Sequence, residues 1–258
     1  MIQLLQIPSL AETIFRDWKE TMIWSCLQGV MGSIYMDEEE HPKSAMALLG
    51  DFCFLAGEPS RELAEFRPKG RNKDFLIIVP ENEAWAALIE ACYGQRAKRT
   101  IRYAIQKEKD VFNQEQLERA VQALSPEYTL ELINEKLYQQ CLIQNWSRDL
   151  VANYESYEQY RKLGIGVAAL RNGIMVSGAS SYSSYQGGIE IEIDTKKEFR
   201  RQGLAYVCGA KLILACLERG WYPSWDAQNL WSVALAEKLG YHFDSEYPVY
   251  EISGDEAV

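Results

Sequence analysis

The run Arg200-Arg201-Gln202-Gly203-Leu204-Ala205 joins a strand-like segment to a long apolar one, and its residue types suit phosphate. A helix start presents amide groups without partners and the positive end of the helix dipole, so it attracts anions. Gly203 lets a ligand approach the backbone closely. Lys196, Lys197, Arg200 and Arg201 gather positive charge in a chain of net charge -10. Spacing alone leaves two readings level: a pyrophosphate site, or a solvated basic turn ahead of a core helix. Just upstream, Ile189-Glu190-Ile191-Glu192-Ile193 alternates strictly, which puts the isoleucines on one face and both glutamates on the other. Carboxylates two residues apart repel, which raises one pKa toward the range useful for moving protons near neutrality. For either glutamate alone, a solvent-facing polar side of an edge-like strand is an equally good reading.

The elements that would position these residues are legible in the second half of the chain. Leu130 to Gln144 reads as a helix, and Ser156 to Leu163 as a shorter one. Ile165–Leu170 and Ile174–Ser181 are apolar runs joined through Asn172-Gly173, a strong hairpin signal because both turn residues tolerate positive φ. After Gly203 a helix runs from Leu204 to Glu218, apolar nearly all round and therefore largely buried, and Gly220 stops it. A last helix spans about Gln228 to Leu239, followed by a strand carrying Tyr241 to Tyr250. In the first half, strands are expected at Gly32–Met36 and Gly50–Ala56, with the acidic run Asp37–Glu40 between them. A basic linker, Arg67–Lys73, precedes a strand at Phe75–Val79. A helix follows over Glu83–Tyr93, then a strand over Thr100–Ile105. Asn113 to Gln116 looks like a capping box opening a helix that ends near Leu124, and Ser125-Pro126 marks a domain boundary.

At 258 residues the chain makes one large or two small domains, and 47% hydrophobic residues supply an ordinary globular core. The negative balance argues against binding a nucleic-acid backbone, which calls for a basic face. No apolar stretch is long enough to span a membrane, and the N-terminus lacks the charged region and cleavage site of a signal peptide. The six cysteines form no CxxC pair, and only His41 and His242 could join them, so no metal site is expected. Scattered buried thiols in a reducing cytosol is the simplest reading, which makes the expected location cytoplasmic.

Two motifs in order carry a resemblance. Arg200-x-x-Gly203-x-Ala205 after a strand resembles the coenzyme A-binding motif of the GNAT N-acetyltransferase superfamily. Asn229-x-x-Ser232-x-x-Leu235-x-x-Lys238-x-Gly240-Tyr241 is similar to a second motif of that superfamily. The strings Glu190–Thr195 and Trp225–Asn229 resemble more specifically the subfamily that includes zwittermicin A resistance proteins. The superfamily resemblance covers about residues 130 to 250.

The resemblance implies an α/β (α+β) fold. Residues 125–258 would form a GNAT domain with a mixed, mostly antiparallel twisted sheet flanked by helices. Residues 1–124 would form a smaller α/β domain, and its strand-helix-strand order from Phe75 to Ile105, similar to the second half of a GNAT unit, makes a degenerate GNAT-like half the expectation there. It implies acetyl-CoA as acyl donor: backbone groups of Ile193, Asp194 and Thr195 would pair with the pantetheine arm. Amides of the Arg200-Arg201-Gln202-Gly203-Leu204-Ala205 loop would hold the pyrophosphate, and Asn229 and Ser232 would line the same wall. A free amine arrives protonated, with a pKa near ~10, and must lose a proton before attack; Glu190 and Glu192 are the candidates to take it. Many members carry a Tyr seven residues after the Asn to protonate the leaving thiolate, and here that position is Ala236. The expected activity is N-acetylation of a small polar amine, an aminopolyol, antibiotic or metabolite, and antibiotic resistance is one expected role. Acetylation of a protein or peptide amine, and a coenzyme A-binding sensor or scaffold without catalysis, are the alternatives. No nucleic acid, membrane or metal is expected, and a homodimer is compatible with the sequence.

Overall fold

The computed structural model describes residues 2–38, 42–68 and 75–253. Glu39 and Glu40 of the acidic run, His41, and residues 69–73 of the basic linker lie outside the described residues. The chain forms two compact units, Met1–Arg102 with Glu246–Val258, and Tyr103–Ser245.

In chain order the first unit holds β1 (Gln3–Leu4), α1 (Thr21–Leu27), β2 (Ser33–Met36), β3 (Ser44–Leu49), β4 (Phe52–Gly57), α2 (Arg61–Glu65), β5 (Leu76–Pro80) and α3 (Glu83–Tyr93). β6 (Ala97–Ile105) leads into the second unit. There follow α4 (Gln114–Gln122), β7 (Tyr128–Leu132), α5 (Glu135–Ile143), α6 (Tyr157–Leu163), β8 (Gly166–Arg171), β9 (Ile174–Tyr185), β10 (Gly188–Thr195), α7 (Leu204–Glu218), β11 (Tyr222–Ser224), β12 (Asp226–Ala227) and α8 (Leu230–Lys238). β13 (Phe243–Ile252) starts in the second unit and ends in the first.

In the first unit β2, β3 and β4 form an antiparallel meander, β5 joins β4 in parallel, and the end of β13 pairs with β5. Met46, Leu55, Ile78, Trp85 and Tyr250 lie in its core. β3 escapes a pattern-based reading because Ser44–Leu49 carries Ala, Met and Leu and is buried on both faces, so no alternation marks it. The second unit is built on a sheet ordered β11-β10-β9-β8-β7, antiparallel except for β10 and β11.

Two expectations change. The helix expected over Leu130–Gln144 is a strand followed by a helix. Leu130 pairs with Ala169 on β8, and Asn134 starts α5 by accepting the Leu137 amide at 3.1 Å. Edge pairing and a side-chain cap override the helical spacing of the apolar residues. The compact units also do not meet at Ser125-Pro126: α4 lies in the second unit, where Leu117 shares a core with Leu204, Cys208 and Leu212 of α7. Other signals read as expected. Asn172 and Gly173 have φ of 52° and 76° in the β8–β9 turn, Ser156 caps α6, and Asn113 accepts the Gln116 amide at the start of α4. Gly94, at φ 53°, closes α3. All six cysteines are free thiols. No helix among the described residues is long and apolar enough to cross a membrane.

Candidate functional site

The site is built around a fork beside β10. β10 pairs with β9 along its whole length, but β11 runs beside it only at Gly188, Ile189 and Glu190. Past Ser224 the chain turns away, and Asp226 and Ala227 pair with Ala104 and Tyr103 on β6 instead. Residues Ile191–Thr195 therefore present a backbone edge with no strand beside it among the described residues. Side chains hold the departure in place. Trp225 is buried, its ring 5.5 Å from that of Tyr241, and its indole N–H donates to Ser232 Oγ at 3.0 Å. The Tyr241 hydroxyl donates to the Pro223 carbonyl at 2.6 Å. A bulge sits level with the fork: Glu190 faces Ser183 and Ile191 faces Ser181, so Tyr182 is the extra residue on β9. Its carbonyl accepts the Asn153 side-chain amide at 3.1 Å.

The two faces of β10 differ as the alternation requires. Ile189 and Ile191 pack in the core with α7. The other face carries Glu190, Glu192 and Asp194, and it is not a solvent-facing side. Glu190 is 4% exposed, while Glu192 and Asp194 are half-buried. Across the strands, Glu190 is level with Ser183 and Ser224, Glu192 with Ser180, and Asp194 with Gly178. The 3-10 turn Arg148–Leu150 covers the last row, since a Cβ on Gly178 would come within 2.8 Å of Leu150 Cδ1. Ser180 Oγ lies 2.8 Å from the Tyr160 hydroxyl of α6. Burial, and then the neighbouring Asp149 carboxylate, push the Asp194 carboxyl up to about 6, against the opposing pull of Arg200. Alternation beyond Glu192 could have flagged Asp194 as a side chain of this face; sequence reasoning singled out only its backbone.

Beyond Thr195, whose hydroxyl lies 2.7 Å from Ser177 Oγ, the chain enters the basic loop. Arg200 Nε donates back to the Thr195 carbonyl at 3.1 Å, tying the loop to the strand. Arg201 and Gly203 are both left-handed, at φ 61° and 81°, with Gln202 between them. Such alternation turns successive amides toward one side and forms an anion-binding concavity. The Gln202 side chain is held away from that role: its oxygen accepts from the Tyr128 hydroxyl at 2.6 Å and its nitrogen donates to the Glu198 carbonyl at 3.4 Å. Gly203 caps α7 without a side chain, and the first helical bond runs from Val207 N–H to the Gly203 carbonyl, so the amides of Leu204 and Ala205 have no helical acceptor. Arg201 is exposed, and a Cβ on Gly203 would meet open space.

Asn229 and Ser232 serve the helix first. Asn229 Oδ1 caps α8 by accepting the Ser232 amide at 3.0 Å, and the Ser232 hydroxyl receives the Trp225 N–H. Ala236 is fully buried, so α8 offers no hydroxyl at that position. Trp231 is 85% exposed, which leaves Trp225 as the tryptophan that packs at the fork. Among the described residues no group of His, Cys, Asp and Glu is arranged to hold a metal ion.

A two-motif strand–loop–helix with a forked parallel pair defines a class, and the comparisons agree with it. The sequence profile of the GNAT acetyltransferase family matches residues 12–250, and the chain belongs to that family. It is 28% identical over 257 residues to "Uncharacterized N-acetyltransferase YdfB" of Bacillus subtilis (strain 168), covering 94% of each chain. It is 49% identical to a GCN5-related N-acetyltransferase-like protein from Streptococcus suis of known crystal structure, with a TM-score of 0.89, over 96% of this chain and 98% of that one. A GNAT-family acetyltransferase from Colwellia psychrerythraea shares the fold alone, with 9% identity and a TM-score of 0.52 over 98% of this chain and 99% of that one. Membership assigns the protein to the N-acetyltransferases.

Proposed function

We propose that the second unit transfers an acetyl group from acetyl-CoA to the amine of a small polar acceptor. The observation that carries this reading is the open edge Ile191–Thr195 running straight into a loop of left-handed residues and an uncapped helix start. An extended pantetheine arm needs a strand edge, and a pyrophosphate needs converging amides; this chain offers both within one strand and its following turn.

Acetyl-CoA supplies an activated acetyl carbonyl: the amine nitrogen bonds to that carbon while its bond to sulfur breaks. Ile193 and Thr195 offer backbone groups to the arm, whereas Asp194, expected to join them, turns its backbone to Gly178 on β9; Arg201 to Ala205 offer amides to the phosphates. Arg200 braces the loop and Arg201 adds positive charge at its surface. Asn229 and Ser232 stand where the fork opens, fixing α8 and Trp225 there. The amide of Ile191, the first residue past the fork, is placed to donate to the carbonyl oxygen as charge develops on it. Glu192, with Glu190 behind it on the same face, takes the proton that the acceptor ammonium must lose. Asp194, with its pKa raised to about 6, is a third carboxylate able to hold that proton. With alanine at 236, the leaving thiolate takes its proton from water. The resemblance to zwittermicin A resistance proteins favours an aminopolyol-like acceptor and a resistance role.

A second reading, a coenzyme A-binding sensor without turnover, is favoured by Ala236 alone. Calorimetric titration with acetyl-CoA tests the cofactor site: the wild type should bind and Gly203→Glu should not. Thiol release in the presence of amines separates the readings, because turnover should collapse in Glu190→Gln/Glu192→Gln while acetyl-CoA binding persists. Binding without turnover across an amine screen would leave the sensor. Absence of binding would end both readings.

We further propose that the first unit is a closed relative of the second. Each unit has a three-stranded antiparallel meander, a helix, and a strand parallel to the last of the three. In the first unit that parallel pair is zipped from Phe52 to Leu55 against Ile77 to Pro80, and the Glu81 amide continues it to the Leu55 carbonyl. Ser60 caps α2 with its own side chain, and Glu81 Oε2 accepts the Gly57 amide at 3.0 Å. The counterparts of the open edge and the free amides are thus already occupied, which supports one cofactor site per chain.

A further inference from the structure

We infer that Tyr128 is a positioning residue for the cofactor: through the Gln202 side chain it holds the loop after β10 in its anion-binding shape before acetyl-CoA arrives. The inference rests on the acetyl-CoA reading above and extends it to a strand outside the site.

The shape of this loop is costly to hold. Arg201 stands at φ 61° although it carries a side chain, and a left-handed backbone is unfavourable for any residue but glycine. Such a conformation persists only where its surroundings over-determine it. Gln202, the next residue, supplies the hold. Its side-chain oxygen accepts from the Tyr128 hydroxyl at 2.6 Å, and its nitrogen donates to the Glu198 carbonyl at 3.4 Å, so the amide group is fixed at both ends. Gln202 is itself exposed, so without Tyr128 its oxygen would turn to solvent and release the backbone between Arg201 and Gly203. Those are the residues whose alternating conformation turns the loop amides toward an anion.

The other end of the contact is rigid. Tyr128 opens β7, three strands from β10 in the sheet, and is buried in the core that α7 also lines. Its partner across the strands is Arg171 on β8. The Arg171 guanidinium lies 5.8 Å from the centre of the Tyr128 ring and 5.8 Å from that of Phe199, which ends the 3-10 turn Lys197–Phe199 just before the loop. Glu127 holds that guanidinium with an ion pair of 2.6 Å. The loop is thus tied to the far edge of the sheet by two routes, a hydrogen bond to Gln202 and packing on Phe199. Neither route consumes a backbone amide offered to the phosphates. Arg200, by contrast, ties the loop only to its own strand. A ligand that meets a loop already held in this way is spared the cost of ordering it.

Tyr128→Phe removes the hydroxyl and keeps the ring and the charge balance. Calorimetric titration should find acetyl-CoA bound about fivefold more weakly than by the wild type, the worth of one net hydrogen bond. Gln202→Ala should weaken binding at least as much. The double variant Tyr128→Phe/Gln202→Ala should be no weaker than Gln202→Ala alone, because both changes remove the same contact. S-acetylpantetheine, which has the same thioester and arm but no phosphate, separates an effect on the loop from general damage. The ratio of kcat/KM for acetyl-CoA to that for S-acetylpantetheine should fall about fivefold in Tyr128→Phe, and the same ratio is read from dissociation constants if the chain binds without turnover. A merely structural loss lowers both values and leaves the ratio. Gln202 is exposed, so its variant keeps the test decisive should Tyr128→Phe fold poorly. Wild-type affinity in Tyr128→Phe, effects that multiply in the double variant, or an unchanged ratio would overturn the inference and leave the cofactor site standing. Absence of acetyl-CoA binding by the wild type would instead remove the reading on which this one depends.

Discussion

Asp194 pairs with Gly178 on β9, its carbonyl accepts from the Ser177 hydroxyl, and its carboxyl lies on the acidic face. Its pKa rises from 3.8 to about 6 in the folded chain, and the direction sets the sign of its effect on stability. The folded state holds the proton more tightly than the unfolded state, so this group favours folding at low pH and loses that contribution as pH rises from about 4 through about 6. Asp194→Asn should therefore melt at a higher temperature than the wild type near pH 8 and at the same temperature near pH 4. Melts across that range check it, and an unchanged difference would contradict the burial of this charge. Gly203 makes a separate case. Its φ of 81° and the open space where a Cβ would point mean that Gly203→Ala meets no clash and costs about 1–2 kcal/mol of backbone strain. The variant should fold, with a lowered urea midpoint.

At the scale of elements, the fork depends on α8 as much as on the strands. Trp225 leaves the register of β10 because its ring fits against Tyr241 and its N–H finds Ser232. Tyr241→Phe removes the donor to the buried Pro223 carbonyl and should cost about 1–3 kcal/mol in urea unfolding. Asn229 separates capping from ligand contact. Asn229→Ala should cost about 1 kcal/mol through loss of the cap, while Asn229→Ser should keep most of that stability. If Asn229→Ser also keeps acetyl-CoA affinity, Asn229 acts only by starting α8; if affinity falls while stability holds, its amide touches the cofactor. The bulge at Tyr182 belongs to the same device, because the extra residue on β9 falls level with the point where β11 departs.

At the scale of the whole molecule, two units of related topology differ in one respect, the state of the parallel pair. One is open from Ile191 onward, and the other is zipped with its helix capped by Ser60. Calorimetry should accordingly find one acetyl-CoA per chain, and Gly203→Glu should remove all of the binding rather than half. Two sites, or binding that survives the variant, would place a cofactor in the first unit. The net charge of -10 favours approach of a cationic acceptor, so the apparent KM for an ammonium-bearing acceptor should rise with ionic strength more than that for acetyl-CoA, an anion.

The amino-acid sequence by itself determined the features that depend on neighbours along the chain. The β8–β9 turn needs Asn172-Gly173, the α7 start needs Gly203, the caps need Asn113 and Ser156, and the alternation of Ile189 to Ile193 assigns faces regardless of what covers them. The family likewise follows from two motifs of local spacing. What only the tertiary structure decided rests on contacts between distant segments. Whether the glutamate face is wet or covered depended on the Arg148–Leu150 turn and α6 packing over it. Leu130–Leu132 became strand because β8 was there to pair with it. The opening of β10 was settled by Trp225, Tyr241 and Ser232 meeting from three separate stretches of chain, and no local pattern encodes a meeting of that kind.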